Sequence, residues 1–179
     1  MKAVLDACVL FPTVLREILT GAAGAGLYRP LWSDRILEEW ARATVRLGEG
    51  AEVIARGEVV ALKAAFPGAM VAPAPGLEAR LWLPDPDDVH VLATAVAGSA
   101  DLIVTFNARD FPRHTLAEEG LDRIDPDLFL RRFLDSDPET LREVVHRVHA
   151  MAERLAGETL PLRALLKRAR LNRLGKALG

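Results

Sequence analysis

Residues 89–106 read VHVLATAVAGSADLIVTF, and no other stretch constrains the fold as strongly. From Val89 to Ala100 the run is almost wholly apolar. A helix of this kind lacks the polar face that a surface helix keeps, so it must be buried. After Asp101, the segment Leu102–Phe106 is a continuous apolar run of strand length. Such a run marks the centre of a parallel sheet, where both faces are covered. Ala3–Leu5 is a second short apolar run, and it ends at Asp6. Buried strands separated by helices specify an α/β fold with a parallel sheet and crossover connections.

The remaining elements follow from periodicity and punctuation. Thr13 to about Gly21 reads as a helix with Val14, Leu15, Ile18 and Leu19 on one face, ended by the Gly/Ala stretch at 21–26. That stretch is no phosphate loop, since no Gly-Lys-Ser/Thr follows. Ser33 caps a helix to about Arg46, with Ile36, Leu37, Trp40, Ala41, Thr44 and Val45 facing inward. A further helix spans Ala51–Phe66. Residues 67–87 hold five of the eleven prolines and read as a connector with short strands at 69–72 and 79–83. Asp85-Pro86 opens the buried helix, with the acid at the N-cap and proline in the first turn. Ile124 ends a last short strand. Asp125-Pro126 opens a helix to about Leu134, and two amphipathic helices follow at 138–155 and 162–174. This gives a domain over 1–134 and a C-terminal helical extension over 135–179.

Composition narrows the class. The chain has 179 residues, 23 basic and 25 acidic side chains, and one cysteine. One cysteine forms no internal disulfide, which fits a reducing cytoplasm. No apolar run reaches the roughly 18 residues of a membrane helix, and Asp6 makes the N-terminus a poor signal peptide. The formal net charge of −2 hides an asymmetry: residues 160–179 carry six bases (Arg163, Lys167, Arg168, Arg170, Arg173, Lys176) and no acid. The body of the chain is acidic.

Ligand sites in open α/β sheets lie beyond the carboxyl ends of the strands. Asp6 ends the first strand. The second runs out through Thr105 to Asn107 and Asp110. Asp88 sits in the first turn of the buried helix and Glu39 in the second turn of the capped helix. If these helix N-termini share one edge, four carboxylates converge. Close carboxylates repel and raise one another's pKa, and a hard divalent cation relieves the repulsion. Metal-assisted phosphodiester hydrolysis fits such a site. Each acid also has a plainer reading: Asp6 as a strand end, Asp88 as a helix-dipole partner, Asp110 as a turn residue. Glu38 and Glu39 are both in reach of Arg42, and the helical wheel does not choose between them. Cys8 reads as a buried thiol, His90 as a core histidine, and His146 and His149 as a solvated face.

The segments AVLDACVL at 3–10, SDRILEEW at 33–40, DPDDVHVLATAVAGSADLIVTFNARDFP at 85–112 and PDLFL at 126–130 together resemble the PIN-domain ribonucleases of the VapC-like toxin type. The resemblance covers Ala3–Leu130. It implies a three-layer fold with a central parallel sheet flanked by helices, and a site binding Mg²⁺ or Mn²⁺. It implies catalytic roles for Asp6, Glu39, Asp88 and Asp110, with Asp6, Asp88 and Asp110 as metal ligands and Thr105 and Asn107 in support. Many members carry an aspartate where this chain has Asn107; Asp110, three residues on, is the candidate to act in its place through a water. Arg16, Arg109 and Arg113 are the candidate phosphate contacts. The implied partners are an RNA substrate, a small antitoxin protein and a second copy in a homodimer.

The implied activity is endoribonucleolytic cleavage leaving a 5′-phosphate and a 3′-hydroxyl, in the role of a toxin. Two other classes stand beside it. One is a PIN-like protein of weak or no activity that acts by binding RNA or protein. The other is a haloacid dehalogenase-like phosphatase, which needs a second aspartate two residues after the first; that position is Cys8. The basic tail has three readings: a surface helix paired with the acidic body, a dimerisation or antitoxin-docking helix, and an RNA-docking arm.

Overall fold

The computed structural model describes all residues, 1–179. In chain order the elements are β1 (Lys2–Leu5), α1 (Ala7–Leu10), α2 (Thr13–Gly24), β2 (Arg29–Leu31), α3 (Asp34–Ala43), α4 (Ala51–Ala65), α5 (Pro75–Arg80), α6 (Val89–Ala97), β3 (Leu102–Val104), α7 (Arg113–Glu118), β4 (Asp122–Ile124), α8 (Pro126–Ser136), α9 (Pro138–Ala156), α10 (Leu162–Arg168) and α11 (Asn172–Leu178). Internal contacts group them into two compact units. The first comprises Met1–Phe11 and Arg29–Ile124, the second Pro12–Tyr28 and Asp125–Gly179. Thus α2 and α8 group with the C-terminal helices. No helix is long and apolar enough to cross a membrane.

The first unit is the α/β body. Its four strands pair in parallel in the order β2-β1-β3-β4. Ala3, Val4 and Leu5 of β1 and Ile103 and Val104 of β3 have no solvent exposure, as continuous apolar strands at a sheet centre require. Helix α6 packs on β1 and β3, and His90 through Ala95 are all buried. The expected all-round burial thus holds over 90–95, whereas the helix ends at Ala97 rather than Ala100, and Ala97 is exposed. Because β2 lies on one side of β1 and β3 on the other, the chain reverses its winding direction between β1 and β3. That switch point opens a crevice at the carboxyl ends of both strands.

Several local expectations are corrected. The 79–83 strand does not form: Pro75 starts α5 and carries helix through Arg80, and near 69–72 there is only a single bridge between Trp32 and Met70. The helix expected to stop near Gly21 continues to Gly24. The strand expected over 102–106 is regular only to Val104, with one further bond to β4 from Thr105 N to Ile124 O at 3.1 Å. The capped helix is regular only to Ala43 and tightens into a 3₁₀ turn over Thr44–Leu47, while Ser33 accepts from Ile36 N at 3.3 Å as its cap. Three short elements, α1, β2 and α7, were not anticipated.

The second unit is helical. Helix α9 packs on α2 and α8, and α11 packs on α8 and α10. Gly21 allows the α2–α9 approach, since a Cβ there would stand 2.8 Å from Val144 Cγ1. The 162–174 helix divides in two: Arg170 adopts φ 62° between α10 and α11. Leu165, Leu166, Leu171 and Leu174 are buried, so the apolar side of the tail is covered within its own unit. Asp127 of α8 is itself buried, and its carboxylate accepts from Arg173 N at 2.7 Å and Leu174 N at 2.9 Å. These are the otherwise unsatisfied amides at the start of α11. His149 Nε2 lies 2.6 Å from Leu160 O, an intramolecular role.

Candidate metal centre

Asp6 is the first residue beyond β1, and its amide continues the ladder by donating to Val104 O at 3.2 Å. The side chain is 5% exposed. Its Oδ2 accepts from Thr105 Oγ1 at 2.6 Å and from Cys8 Sγ at 3.1 Å. Thr105 is buried at the end of β3, and its Oγ1 also accepts from Asn107 N at 2.9 Å. The carboxylate is thus fixed from both central strands. Burial, and next the charge of Asp6, push the Cys8 thiol up to about 12. It is a neutral donor at ordinary pH and no nucleophile.

Asp88 closes the 3₁₀ turn Pro86–Asp88 that leads into α6. Its Oδ2 is buried and has no hydrogen-bond partner. Burial first, then the charges of Asp6, Asp85, Asp110 and Glu39, raise its pKa from an ordinary 3.8 to about 6. The repulsion anticipated for converging carboxylates is therefore present, and Asp88 is its focus. Carboxylate oxygens of Asp85, Asp88 and Asp110 all lie within 4.8 Å of one another. Asp110 is placed by a turn in which its amide donates to Asn107 O at 3.2 Å. The Asn107 side chain is exposed and brings no charge.

Asp85 is the residue that sequence reasoning missed as a site member. Its Oδ1 does cap the turn, accepting from Asp87 N at 2.9 Å, and the same carboxylate stands in the triad. The spacing Asp85-x-x-Asp88 was the available signal, since it places two acids one turn apart. Asp6 stands outside this tight triad, with its Oδ2 committed to Thr105 and Cys8.

The choice between Glu38 and Glu39 is resolved by partners. Glu38 is bound by Arg42 at 2.6 Å and Arg56 at 2.8 Å, and hydrogen bonds from these two guanidinium groups lower its pKa to about 2. Glu39 is the one whose charge bears on Asp88. Its Oε1 lies 2.8 Å from Nε2 of the buried His90, off the line of a hydrogen bond, and 3.3 Å from Arg35 Nε. His90 is thus a neighbour of the site as well as a core residue.

An open groove of about 1,070 Å³ runs between α3 and α4 and reaches Glu39, Asp87 and Asp88. Its cations are already matched: Arg35 by Glu39 and Glu78, Arg42 and Arg56 by Glu38, and Lys63 by Asp34. Of the three candidate phosphate contacts, Arg113 is held by both oxygens of Asp122 at 2.7 Å. Arg16 is buried in the second unit, 3.9 Å from Glu17. Arg109 is exposed, on the turn between Asn107 and Asp110.

The donor set is entirely carboxylate oxygen, with no free imidazole or thiolate in the triad. Hard, oxygen-preferring divalent cations suit such a set; zinc, which favours nitrogen and sulfur, suits it less. The buried, unpartnered Asp88 oxygen supplies a ligand atom that nothing in the protein satisfies. The residues present therefore fit a resident Mg²⁺ or Mn²⁺. A family model described as a PIN domain matches residues 2–109. Searches among curated proteins and among solved structures gave no match.

Proposed function

Because the chain belongs to the PIN-domain family, whose members are in general nucleases, we propose that it is a metal-dependent endoribonuclease acting at the acidic crevice beyond β1 and β3. The observation that carries this reading is the unpartnered buried oxygen of Asp88 among Asp6, Glu39, Asp85 and Asp110. Asp85, Asp88 and Asp110 would hold Mg²⁺ or Mn²⁺, with the charge of Asp6 adding to the field at Asp88. When bound, the ion supplies charge compensation for the scissile phosphate and acidifies a water.

The chain's own side chains supply the rest. Thr105 and Cys8 fix the Asp6 carboxylate so that it does not swing away from the crevice. Asp88 is anionic above about pH 6, so the site reaches its full negative charge near neutrality. Glu39, steadied by the hydrogen bond from Arg35 Nε, is assigned the role of taking a proton from the attacking water. Arg109 is the exposed cation of the Asn107–Asp110 turn and meets the phosphate chain by charge. Cleavage leaves a 5′-phosphate and a 3′-hydroxyl.

In the cell the chain acts as a cytoplasmic toxin, held in check by a small antitoxin protein, and functions as a homodimer. The test is cleavage of a labelled single-stranded RNA by the full chain in Mg²⁺ or Mn²⁺ against EDTA. Asp6→Asn and Asp88→Asn, folded by circular dichroism, are expected to lose more than about a hundredfold in rate. If the wild type cuts nothing in either metal while both variants keep its effect on growth, the protein acts by binding instead.

A further inference from the structure

The function proposed above makes no use of the basic tail. Residues 160–179 carry six bases and no acid, and Arg163, Lys167, Arg168, Arg170, Arg173 and Lys176 are all exposed. The second unit holds twelve basic and nine acidic side chains, a net of +3, whereas the first holds eleven and sixteen, a net of −5. Helices α10 and α11 pack closely because Gly175 has no side chain. A Cβ there would stand 3.3 Å from Leu166 Cβ and 3.7 Å from Arg163 O. That approach brings two basic rows together, Arg163 with Lys167 on α10 and Arg173 with Lys176 on α11. Residues three or four apart on a helix have Cβ atoms roughly 5–6 Å from one another, so each row is compact. Two of the three readings of the tail now fail. Arg163, Lys167, Arg168, Arg173 and Lys176 form no ion pair, whereas Arg142 of the same unit pairs with Glu139. Asp127, which does reach the tail, spends its oxygens on the amides of Arg173 and Leu174. An apolar docking stripe is also absent, since Leu165, Leu166, Ala169, Leu171 and Leu174 are buried.

We propose that the exposed face of α10 and α11 binds the phosphate chain of RNA, with residues other than those of the metal centre. Charge selects the occupant. A surface of one sign repels a second copy of itself and attracts a polyanion, whose displaced counterions drive the binding. Four of the six bases are arginines, whose planar fork meets phosphate oxygens two at a time. A membrane surface is the poorer match, because a membrane-bound helix inserts an apolar face beside its bases, and the leucines here are buried. Residues 160–179 contain no aromatic side chain, so the surface offers bases nothing to stack on. It therefore reads the backbone charge of the RNA and not its sequence. The binding needs no metal, and it stands whether or not the chain cuts RNA.

The test is fluorescence anisotropy of a labelled single-stranded RNA of about 20 nucleotides with the full chain in EDTA, from about 50 to 200 mM KCl. The wild type is expected to bind, with log K falling against log salt at a slope of about −2 or steeper, as three or more phosphate contacts require. Two double variants at exposed positions, Arg163→Gln with Lys167→Gln and Arg173→Gln with Lys176→Gln, are checked for folding by circular dichroism. Each is expected to weaken binding at least about tenfold at the lowest salt and to flatten the slope by about 1.4, the loss of two contacts. Arg142→Gln with Arg147→Gln removes the same charge from the exposed side of α9 and should stay within about twofold of wild type. Weakening by either tail variant, with the α9 variant unaffected, supports the proposal. No binding at the lowest salt overturns it, as does binding that both tail variants leave intact or that the α9 variant weakens equally. Capture of the protein by phosphatidylserine vesicles in place of RNA at the same salt also overturns it. RNA that binds through the tail in EDTA yet is not cut in Mg²⁺ or Mn²⁺ would strike the nuclease reading alone.

Discussion

Replacing Asp88 by asparagine should stabilise the metal-free protein. The carboxylate has an ordinary pKa of 3.8 in the unfolded chain and about 6 in the fold. Between these values the folded state holds the proton more tightly than the unfolded state. Stability from this group is therefore present at low pH and is lost as pH rises from about 4 through about 6. At about 1.36 kcal/mol per pH unit the difference corresponds to an upper bound of about 3 kcal/mol. Asp88 is only half-buried, and solvent screening reduces the figure to about 1–2 kcal/mol. The asparagine side chain keeps the shape and removes the charge. In EDTA at pH 8 the variant should thus unfold at higher urea than the wild type, by about 1–2 kcal/mol, and the gap should close near pH 4. Divalent metal should reverse the order, because a ligand that binds only the folded wild type stabilises it by about 2.7 kcal/mol at a hundred times its dissociation constant. Urea titrations followed by circular dichroism at pH 4, 6 and 8 measure both effects. A variant less stable than wild type in EDTA at pH 8, or a gap independent of pH, would refute the argument that Asp88 bears uncompensated repulsion.

Other perturbations separate the roles of neighbouring residues. Glu39→Gln is expected to slow RNA cleavage by at least about tenfold, whereas Glu38→Gln, which removes only exposed partners of Arg42 and Arg56, should stay within about twofold of wild type; initial rates on one labelled RNA compare them. Thr105→Val removes the hydroxyl that holds Asp6 Oδ2 and should lower the cleavage rate with little change in KM, measured in the same assay. Asp127→Ala leaves two amides of α11 without their acceptor and should cost about 2–4 kcal/mol in urea unfolding; amide exchange should show the loss concentrated in residues 162–178.

The parts legible in the sequence were those whose information is local. The helix and strand at 89–106 declare burial through an unbroken apolar run, and Asp6, Asp88 and Asp110 were singled out because they follow or flank such runs. What was missed depends on distant partners. Strand β2 is three residues with Pro30 in the middle, and only its pairing to β1 makes it a strand. The expected strand at 79–83 was overruled by a proline-started turn of helix. Nothing in the tail announced the break at Arg170, which is neither glycine nor proline; Asp127, more than forty residues earlier, captures the amides that follow it. Asp85 was read as a cap because capping is a local property, and its second role appears only when Asp110 is brought beside it. The Glu38–Glu39 ambiguity needed Arg56, on another helix, to settle it.

The central claim is that these carboxylates form one divalent-cation site, and titration of Mn²⁺ into the full chain, with free ion read by electron paramagnetic resonance, tests it most directly. At pH 7.5 the wild type should bind Mn²⁺ saturably. Affinity should fall by at least about tenfold at pH 5, where Asp88 is protonated, and by a similar factor at pH 7.5 in Asp88→Asn. No saturable binding at pH 7.5, or binding that Asp88→Asn leaves unchanged, would contradict the account.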